Sequence, residues 1–147
     1  MQFLHIVVIS VVAGCSCAVL LKQYTDCGGH GSIHSISLEP CDKEPCHITR
    51  GNTYYTNINF TAQEHSKNLT NICHGIIAGV PENFQVSPSS ACGNGVSCPL
   101  TPGQSAVYKA SVTCPSDAPQ VRLAAKWEVR DDRGKNLICI VFPLTID

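Results

Sequence analysis

Ten cysteines in a chain of 147 residues constrain this protein more than any other feature of its sequence. Small secreted domains use many cysteines as disulfides, whereas cytosolic chains of this size rarely carry so many. The length suits one domain, with a targeting segment at most. The charge is nearly balanced, with 10 Lys+Arg against 11 Asp+Glu, and shows no basic stripe for nucleic acid. We therefore expect a disulfide-stabilised domain with no nucleic-acid partner.

The first 18 residues are typical of a secretory signal peptide. Ile6–Ala13 form an apolar run that is too short to span a bilayer, and small residues follow it. The usual positively charged start is missing, because no Lys or Arg precedes Lys22. A short buried strand is the alternative interpretation. With cleavage near Cys17 or Ala18, the mature domain spans residues 19–147, and we expect it to be secreted or to act in the endosomal or lysosomal lumen.

Cleavage there leaves eight cysteines, an even number that predicts four disulfides in an oxidising compartment. Spacing narrows the many possible pairings. Two short loops rich in turn-forming residues close easily on themselves, and the cysteines nearest the mature ends can join those ends. The last two cysteines are then left for each other. The four predicted disulfides are Cys27–Cys139, Cys41–Cys46, Cys92–Cys98 and Cys73–Cys114.

The chain carries one cluster that could bind zinc and two signals for glycosylation. Cys41, Cys46 and His47 stand close together. Zinc sites use repeated, tightly spaced ligands, and the sequence has neither a C-x-x-C pair nor an H-E-x-x-H motif, so we predict no metal. N-glycosylation sequons begin at Asn59 and Asn68. They fit secretion and indicate exposed positions.

The pattern of apolar residues is that of a β protein. Thr53–Thr61 and Val121–Arg130 alternate apolar with polar residues, and no window carries a helical stripe. Further strands are predicted at Ile36 and Leu38, Ala106–Val112 and Leu137–Ile146, with turns at Pro81, Pro88, Gly93–Gly95, Pro102–Gly103, Pro115 and Asp131–Gly134. We predict an all-β, immunoglobulin-like antiparallel sandwich of two sheets. Trp127 does not lie between paired core cysteines, which argues against a true immunoglobulin domain.

No residue pattern indicates catalysis. The five histidines after the signal peptide stand in no zinc-peptidase, G-x-S-x-G or papain-like context. Asp131 and Asp132 are adjacent on a predicted hairpin, where neighbouring side chains point apart, so we interpret them as part of a turn. If every cysteine is bridged, no thiolate nucleophile remains. We predict that the protein is not an enzyme and needs no cofactor.

Several short motifs follow one another along the mature chain in a characteristic order. They are Asp26-Cys27-Gly28, Pro40-Cys41, Pro45-Cys46, His74-Gly75-Ile76, Gly79-Val80-Pro81, Cys92, Cys98-Pro99, Trp127, Asp131-Asp132, Cys139 and Phe142-Pro143. Their order and spacing, from Asp26 to Ile146, resemble the Niemann-Pick type C2 family of lipid-recognition domains. The resemblance implies a two-sheet sandwich that encloses an apolar tunnel for one lipid, in this family a sterol.

The resemblance also implies which residues line the tunnel. Phe84 matches the aromatic residue at the family's pocket mouth, and Cys114 and Ala118 stand where other mouth residues lie. The predicted ligand-binding residues, from these matches and from the apolar strand faces, are Tyr54, Ile58, Phe60, Phe84, Tyr108, Val112, Ala118, Pro119, Val121, Leu123 and Trp127. From periodicity alone, the strand residues among them would be ordinary core. His74–Val80 matches a segment that family members use near membranes.

The chain departs from the family pattern at the pocket. Ala118 and Ile140 stand where vertebrate members have large aromatic residues, and Cys73 and Cys114 replace apolar residues. The mouth is therefore expected to differ in shape from that of the vertebrate carriers. We expect a monomeric carrier of one sterol-like lipid. The alternatives are a carrier of fatty acids or hydrophobic semiochemicals, and a lipid-sensing immune accessory protein that docks to a receptor.

Overall fold

The computed structural model describes residues 8–10 and 17–147, and these residues form ten β-strands, in several of which buried side chains alternate with more exposed ones. The strands are β1 (Val19–Leu20), β2 (Thr25–Asp26), β3 (Ser32–Glu39), β4 (Cys46–Ile48), β5 (Thr53–Thr61), β6 (Thr70–Ile77), β7 (Val80–Ser87), β8 (Ser105–Thr113), β9 (Arg122–Arg130) and β10 (Asn136–Ile146). Within the described residues, no helix is long and apolar enough to cross a membrane.

The strands pair into two sheets that share β7. The first sheet has the order β1-β3-β5-β8 and then the second half of β7. The second contains the first half of β7 followed by β6, β9, β10 and β2, and β4 runs parallel to β10 while the other pairings are antiparallel. The crossing lies at Phe84, which pairs with Cys73 of β6, whereas the next residue, Gln85, pairs with Thr113 of β8. The predicted two-sheet β-sandwich is confirmed.

The two alternating segments are strands, but one predicted turn is wrong. Strand β5 has the predicted bounds, and β9 begins one residue after Val121. Pro81 lies within β7, opposite Ile76, and the turn before it is made by Ala78 and Gly79, both with positive φ. At this point β7 has no second neighbour, because it pairs with β8 only at residues 85–87. The absence of an N–H group on Pro81 therefore costs no hydrogen bond between strands.

Three of the four predicted disulfides are present, namely Cys27–Cys139, Cys41–Cys46 and Cys92–Cys98. The fourth, between Cys73 and Cys114, is a correction: both residues are buried free thiols. Cys73 lies within β6 of the second sheet, whereas Cys114 directly follows β8 of the first sheet. An even number of cysteines therefore does not imply that every one is paired.

The predicted signal peptide lies largely outside the described residues, which omit residues 1–7 and 11–16. The predicted mature chain begins at Val19, in β1. Val19 pairs with Leu38 and Leu20 with Ser37, so this start belongs to the first sheet. The cleavage position itself stays a prediction.

The predicted turn between β9 and β10 is built around the buried carboxylate of Asp131. Its Oδ1 accepts hydrogen bonds from the backbone N–H groups of Arg133 and Lys135, each at 2.9 Å. Its Oδ2 lies 3.0 Å from Nε2 of His30 and 3.1 Å from the Arg133 guanidinium. Burial by itself would raise the pKa of Asp131, but these hydrogen bonds outweigh it and hold the pKa below its ordinary value.

We expect Asp131→Asn to destabilise the protein at pH 7 by about 2–3 kcal/mol, because several hydrogen bonds to a charged acceptor are weakened. The folded-state pKa of Asp131 is lowered, so its stabilisation is complete above the unfolded-state pKa of about 4. It is lost as the pH falls through the folded-state pKa. Melting curves followed by circular dichroism from pH 7 to pH 3 should therefore show a shallower loss of stability on acidification in the variant.

Asp132→Asn is the matched control, because Asp132 is exposed and accepts one backbone hydrogen bond, from Lys67 at 3.0 Å. It should change the melting temperature at pH 7 by much less than Asp131→Asn. Equal effects of the two changes, or an unaltered pH dependence in Asp131→Asn, would contradict the role assigned to the buried carboxylate.

Candidate functional site

An apolar cavity lies between the two sheets. Its wall carries no charged side chain and is formed by Leu38, Ile48, Tyr54, Cys73, Phe84, Val112, Cys114, Ala125, Trp127, Phe142 and Leu144. The cavity has a volume of about 20 Å³, roughly enough for one water molecule. Sites for lipid-sized ligands are larger, roughly 300–1,000 Å³. A lipid could therefore enter only if the walls moved apart.

Phe84 borders both this cavity and an open cleft on the surface. The ring lies over Gly75 of β6. A Cβ atom at position 75 would stand 2.3 Å from Cζ of Phe84, so a side chain there would displace the ring. Phe84 is also the residue at which β7 passes from one sheet to the other. Phe84 is thus the one residue that borders both the cavity and the cleft among their lining residues.

The surface cleft has a volume of about 550 Å³ and is formed by the end of the β6–β7 hairpin and the loop after β8. Its residues are Ile77, Val80, Glu82, Asn83, Phe84, Pro115, Asp117, Ala118 and Pro119. Val80 is an apolar residue with 56% of its surface exposed. Glu82 and Asp117 bring carboxylates to the same cleft. Polar and apolar groups thus meet at the opening, whereas the cavity behind Phe84 is apolar.

The polar atoms on two aromatic wall residues are already hydrogen-bonded within the protein. Nε1 of Trp127 donates to Oδ1 of Asn71 at 2.6 Å, and Nδ2 of Asn71 donates to the Pro88 carbonyl at 3.0 Å. The hydroxyl of Tyr54 accepts a hydrogen bond from the N–H of Thr49 at 2.7 Å. These contacts orient the two rings, which present mainly hydrocarbon surface to the cavity.

The two free thiols are part of the apolar wall. Burial raises the pKa of Cys73 to about 12. Burial also raises the pKa of Cys114, although the positive charge of Arg50 opposes the shift. The thiolate is the nucleophilic form of cysteine, and both groups stay protonated at neutral pH. They behave as small apolar side chains in the wall.

The predicted ligand-binding residues fall into three places. Tyr54, Phe84, Val112 and Trp127 line the cavity, and Ala118 and Pro119 line the cleft with Phe84. Others are buried in the core without lining either space: Ile58, Phe60, Tyr108 and Leu123. Val121 is half-buried in a surface depression beside Arg122 and Ile146. The structure therefore brings six of the eleven predicted residues to the cavity and cleft.

Seven residues of the cavity wall were not predicted as ligand-binding: the two cysteines that were predicted to form a disulfide, and five apolar residues. They are Cys73 and Cys114, and Leu38, Ile48, Ala125, Phe142 and Leu144. A signal existed for three of them, since Ala125 shares a face of β9 with Trp127 and two further residues lie on β10. Phe142 and Leu144 have the same parity on β10 as Ile140, and Ile140 is the Cα partner of Trp127 in β9. Residues of equal parity share a face of a strand, so the face that contains Trp127 continues into β10 through these two side chains.

One group of potential metal ligands is brought together within the described residues: His30, Glu64 and Asp131. The guanidinium of Arg133 contacts the carboxylates of both Glu64 and Asp131. It thus supplies the positive charge that a metal ion would otherwise provide. Cys41 and Cys46, which stand close to His47 in the sequence, form a disulfide, and Nδ1 of His47 lies 2.9 Å from the Asp147 carboxylate.

The two sequons lie in different surroundings. Asn68 is exposed in the loop before β6. Asn59 is half-buried in the middle of β5, opposite Val107 of β8, on the face that points away from the core. Glycosylation at either position stays a prediction.

Three comparisons with known proteins agree. The ML-domain family model matches residues 22–146. The chain is 32% identical over 146 residues to the protein named NPC intracellular cholesterol transporter 2 of Danio rerio, covering 99% of this chain and 97% of that one. It is 30% identical over 129 residues to the ecdysteroid-regulated 16 kDa protein of Manduca sexta, covering 85% and 88%. A crystal structure of a Niemann-Pick type C2 protein from the Japanese carpenter ant matches with a TM-score of 0.75 and 28% identity, covering 84% of this chain and 98% of that one.

Proposed function

Because the chain belongs to the Niemann-Pick type C2 family of ML-domain proteins, we propose that it carries one sterol-like lipid between its two sheets. The observation that carries this proposal is the apolar cavity behind Phe84, which has no charged group in its wall. A relative named as a cholesterol transporter supports a sterol as the ligand. Burial of roughly 400 Å² of sterol surface gains on the order of 10 kcal/mol before the cost of association. This free energy of burial would offset the cost of moving the cavity walls apart.

The lipid enters from the surface cleft past Phe84. The two sheets are joined weakly here, because β7 and β8 share three paired residues, from Gln85 to Ser87, whereas β5 and β8 share nine. The polar end of the lipid stays in the cleft near Glu82 and Asp117, since the cavity wall has no charged partner for it. The apolar end fills the space between the sheets.

The end of the β6–β7 hairpin is the surface that meets a membrane during lipid transfer. It includes the predicted segment His74–Val80, and Val80 projects an exposed apolar side chain beside the cleft. An apolar group at this place can enter the interfacial region of a bilayer. The three disulfides support a location in the secretory pathway, outside the cell or in the endosomal or lysosomal lumen.

Titration with a fluorescent sterol and, separately, with a fluorescent fatty acid tests the carrier function. We expect saturable binding of one sterol per monomer, with sterol bound more tightly than fatty acid. Tighter binding of the fatty acid would favour the alternative carrier. The absence of saturable binding for both probes would refute the proposal.

Transfer of the fluorescent sterol between vesicles of phosphatidylcholine tests the membrane contact. Val80→Asp should slow the transfer several-fold, because a charge at the hairpin end opposes contact with the bilayer. Val107→Asp is the control, since Val107 is 41% exposed on the outward face of β8 and does not line the cleft. Equal rates for the two variants would contradict the assigned surface.

A further inference from the structure

The hydroxyl group of Tyr108 is buried without a hydrogen-bond partner among the residues that the structure describes. The side chain is 1% exposed, and burial raises the pKa of the phenol, so the O–H donor persists at any physiological pH. A buried hydroxyl without a partner is costly, and native proteins keep few of them. The other two unpartnered buried atoms belong to His30, which precedes β3 and contacts Asp131, and to Asn136 at the start of β10.

A second inward-facing tyrosine, unlike Tyr108, has a hydrogen-bonded hydroxyl group. Tyr54 lies on β5, the neighbour of β8, and its hydroxyl accepts the N–H of Thr49. Other polar groups on the interior faces are likewise satisfied. Oγ1 of Thr56 donates to the Ser37 carbonyl at 2.8 Å, and the Trp127 indole donates to an asparagine. Among the described buried side chains, Tyr108 therefore carries the one hydroxyl without a partner.

Tyr108 shares its strand face with a residue of the cavity wall. Val112 lines the cavity, and residues 108, 110 and 112 lie on the same face of β8 because strand side chains alternate. Beyond Val112 the chain continues through Cys114, in the wall, to Pro115 at the surface cleft. Tyr108 is thus on the side of Val112 away from the opening, roughly 14 Å along the strand.

The residue between them is Ala110, the smallest side chain of this row. The present cavity has room for about one water molecule, so a bound lipid must extend beyond it. An extension away from Phe84 along β8 passes Ala110 and reaches Tyr108.

We propose that Tyr108 is a specificity-determining residue, whose hydroxyl donates a hydrogen bond to an oxygen at the end of the lipid that enters first. This inference rests on the proposed carrier function and narrows its ligand class. The preferred ligands carry a hydroxyl or carbonyl oxygen at the deep end, as side-chain-hydroxylated sterols and ω-hydroxy fatty acids do. A lipid with a plain hydrocarbon end leaves the phenol unpaired.

The test compares two matched pairs of ligands, cholesterol with 25-hydroxycholesterol and hexadecanoic acid with 16-hydroxyhexadecanoic acid. In the unmodified protein, the hydroxylated member of at least one pair should bind about tenfold more tightly than its parent. In Tyr108→Phe that ratio should fall to one or below, because the tail hydroxyl then enters an apolar site without a donor. The pair that responds identifies the lipid class.

Thermal unfolding without ligand gives an independent readout. Tyr108→Phe removes an unpaired buried hydroxyl and should raise the melting temperature by about 2–4 °C. Tyr54→Phe is the matched control and should lower it, because the N–H of Thr49 loses its acceptor.

Two outcomes would overturn the inference. One is a ratio of affinities that is the same in Tyr108→Phe and in the unmodified protein. The other is a loss of stability in Tyr108→Phe as large as that in Tyr54→Phe, since the hydroxyl would then already have a partner. Failure of the carrier function itself looks different, because none of the four ligands would then bind the unmodified protein.

Discussion

Trp127→Ala is expected to lower the free energy of unfolding by about 3–5 kcal/mol, because it removes a large, 1% exposed side chain from between the sheets. The change also leaves the buried amide of Asn71 without the indole N–H that it accepts at 2.6 Å. It should weaken binding of the fluorescent sterol too, since the ring forms part of the cavity wall. Urea denaturation and sterol titration of the same preparations measure the two effects.

Trp127→Phe separates packing from hydrogen bonding. Phenylalanine keeps most of the apolar contact but cannot donate to Asn71, so the loss of stability should be smaller than for alanine. Because Trp127 is the single tryptophan of the chain, its fluorescence reports directly on this site. We expect a blue-shifted emission that changes when lipid enters. An emission typical of tryptophan in water, or a loss below about 1 kcal/mol for Trp127→Ala, would contradict the assigned position.

Strands with one buried and one exposed face could be predicted from the sequence, because their apolar residues alternate. Strand β5 has the predicted bounds, and its residues alternate between buried and exposed or half-buried positions along most of its length. The first half of β7 shows no such pattern, since Val80, Pro81, Glu82 and Asn83 are all exposed. Without a buried face, the segment offered no periodicity, and Pro81 suggested a turn instead. Its pairing with β6 depends on the Ala78–Gly79 turn.

The faces of the strands could be predicted, but the position of the cavity along them could not. Tyr54, Ile58 and Phe60 share one face of β5, and all three are buried. Only Tyr54 borders the cavity, because the register between strands and the crossing of β7 decide where the sheets leave space. Alternation repeats every two residues, so it indicates which face of a strand is buried but not where along the strand a cavity lies. Phe84 was identified through the family resemblance rather than through its local pattern.

The Cys73–Cys114 prediction failed for a related reason. Pairing by elimination assumes that every cysteine of a secreted domain forms a disulfide. Both thiols instead take the place of apolar side chains in the cavity wall, where burial keeps them protonated. The same property makes cysteine a suitable wall residue, since it adds volume without a hydrogen-bonding demand.

Replacing both Cys27 and Cys139 by alanine is expected to cost about 4–5 kcal/mol of unfolding free energy on the chain-entropy model. The bridge joins residues 112 positions apart, so its loss frees nearly the whole mature domain in the unfolded state. It also anchors the segment before β3 to β10, where the N–H of Cys27 donates to the Cys139 carbonyl at 2.9 Å. Thermal unfolding under non-reducing conditions should show a melting temperature lower by roughly 10–20 °C.

The Cys41–Cys46 bridge provides the matched control, because it closes a loop with a sequence separation of only 5. The same entropy relation gives about 2 kcal/mol for its removal by two alanine substitutions. The difference between the double variants should therefore approach 3 kcal/mol, provided that peptide mapping shows the other two bridges intact in each. Equal losses in the two variants would mean that loop length does not govern the stabilisation. A mapped peptide joining Cys27 or Cys139 to any other cysteine would show that this bridge does not tie the mature ends together.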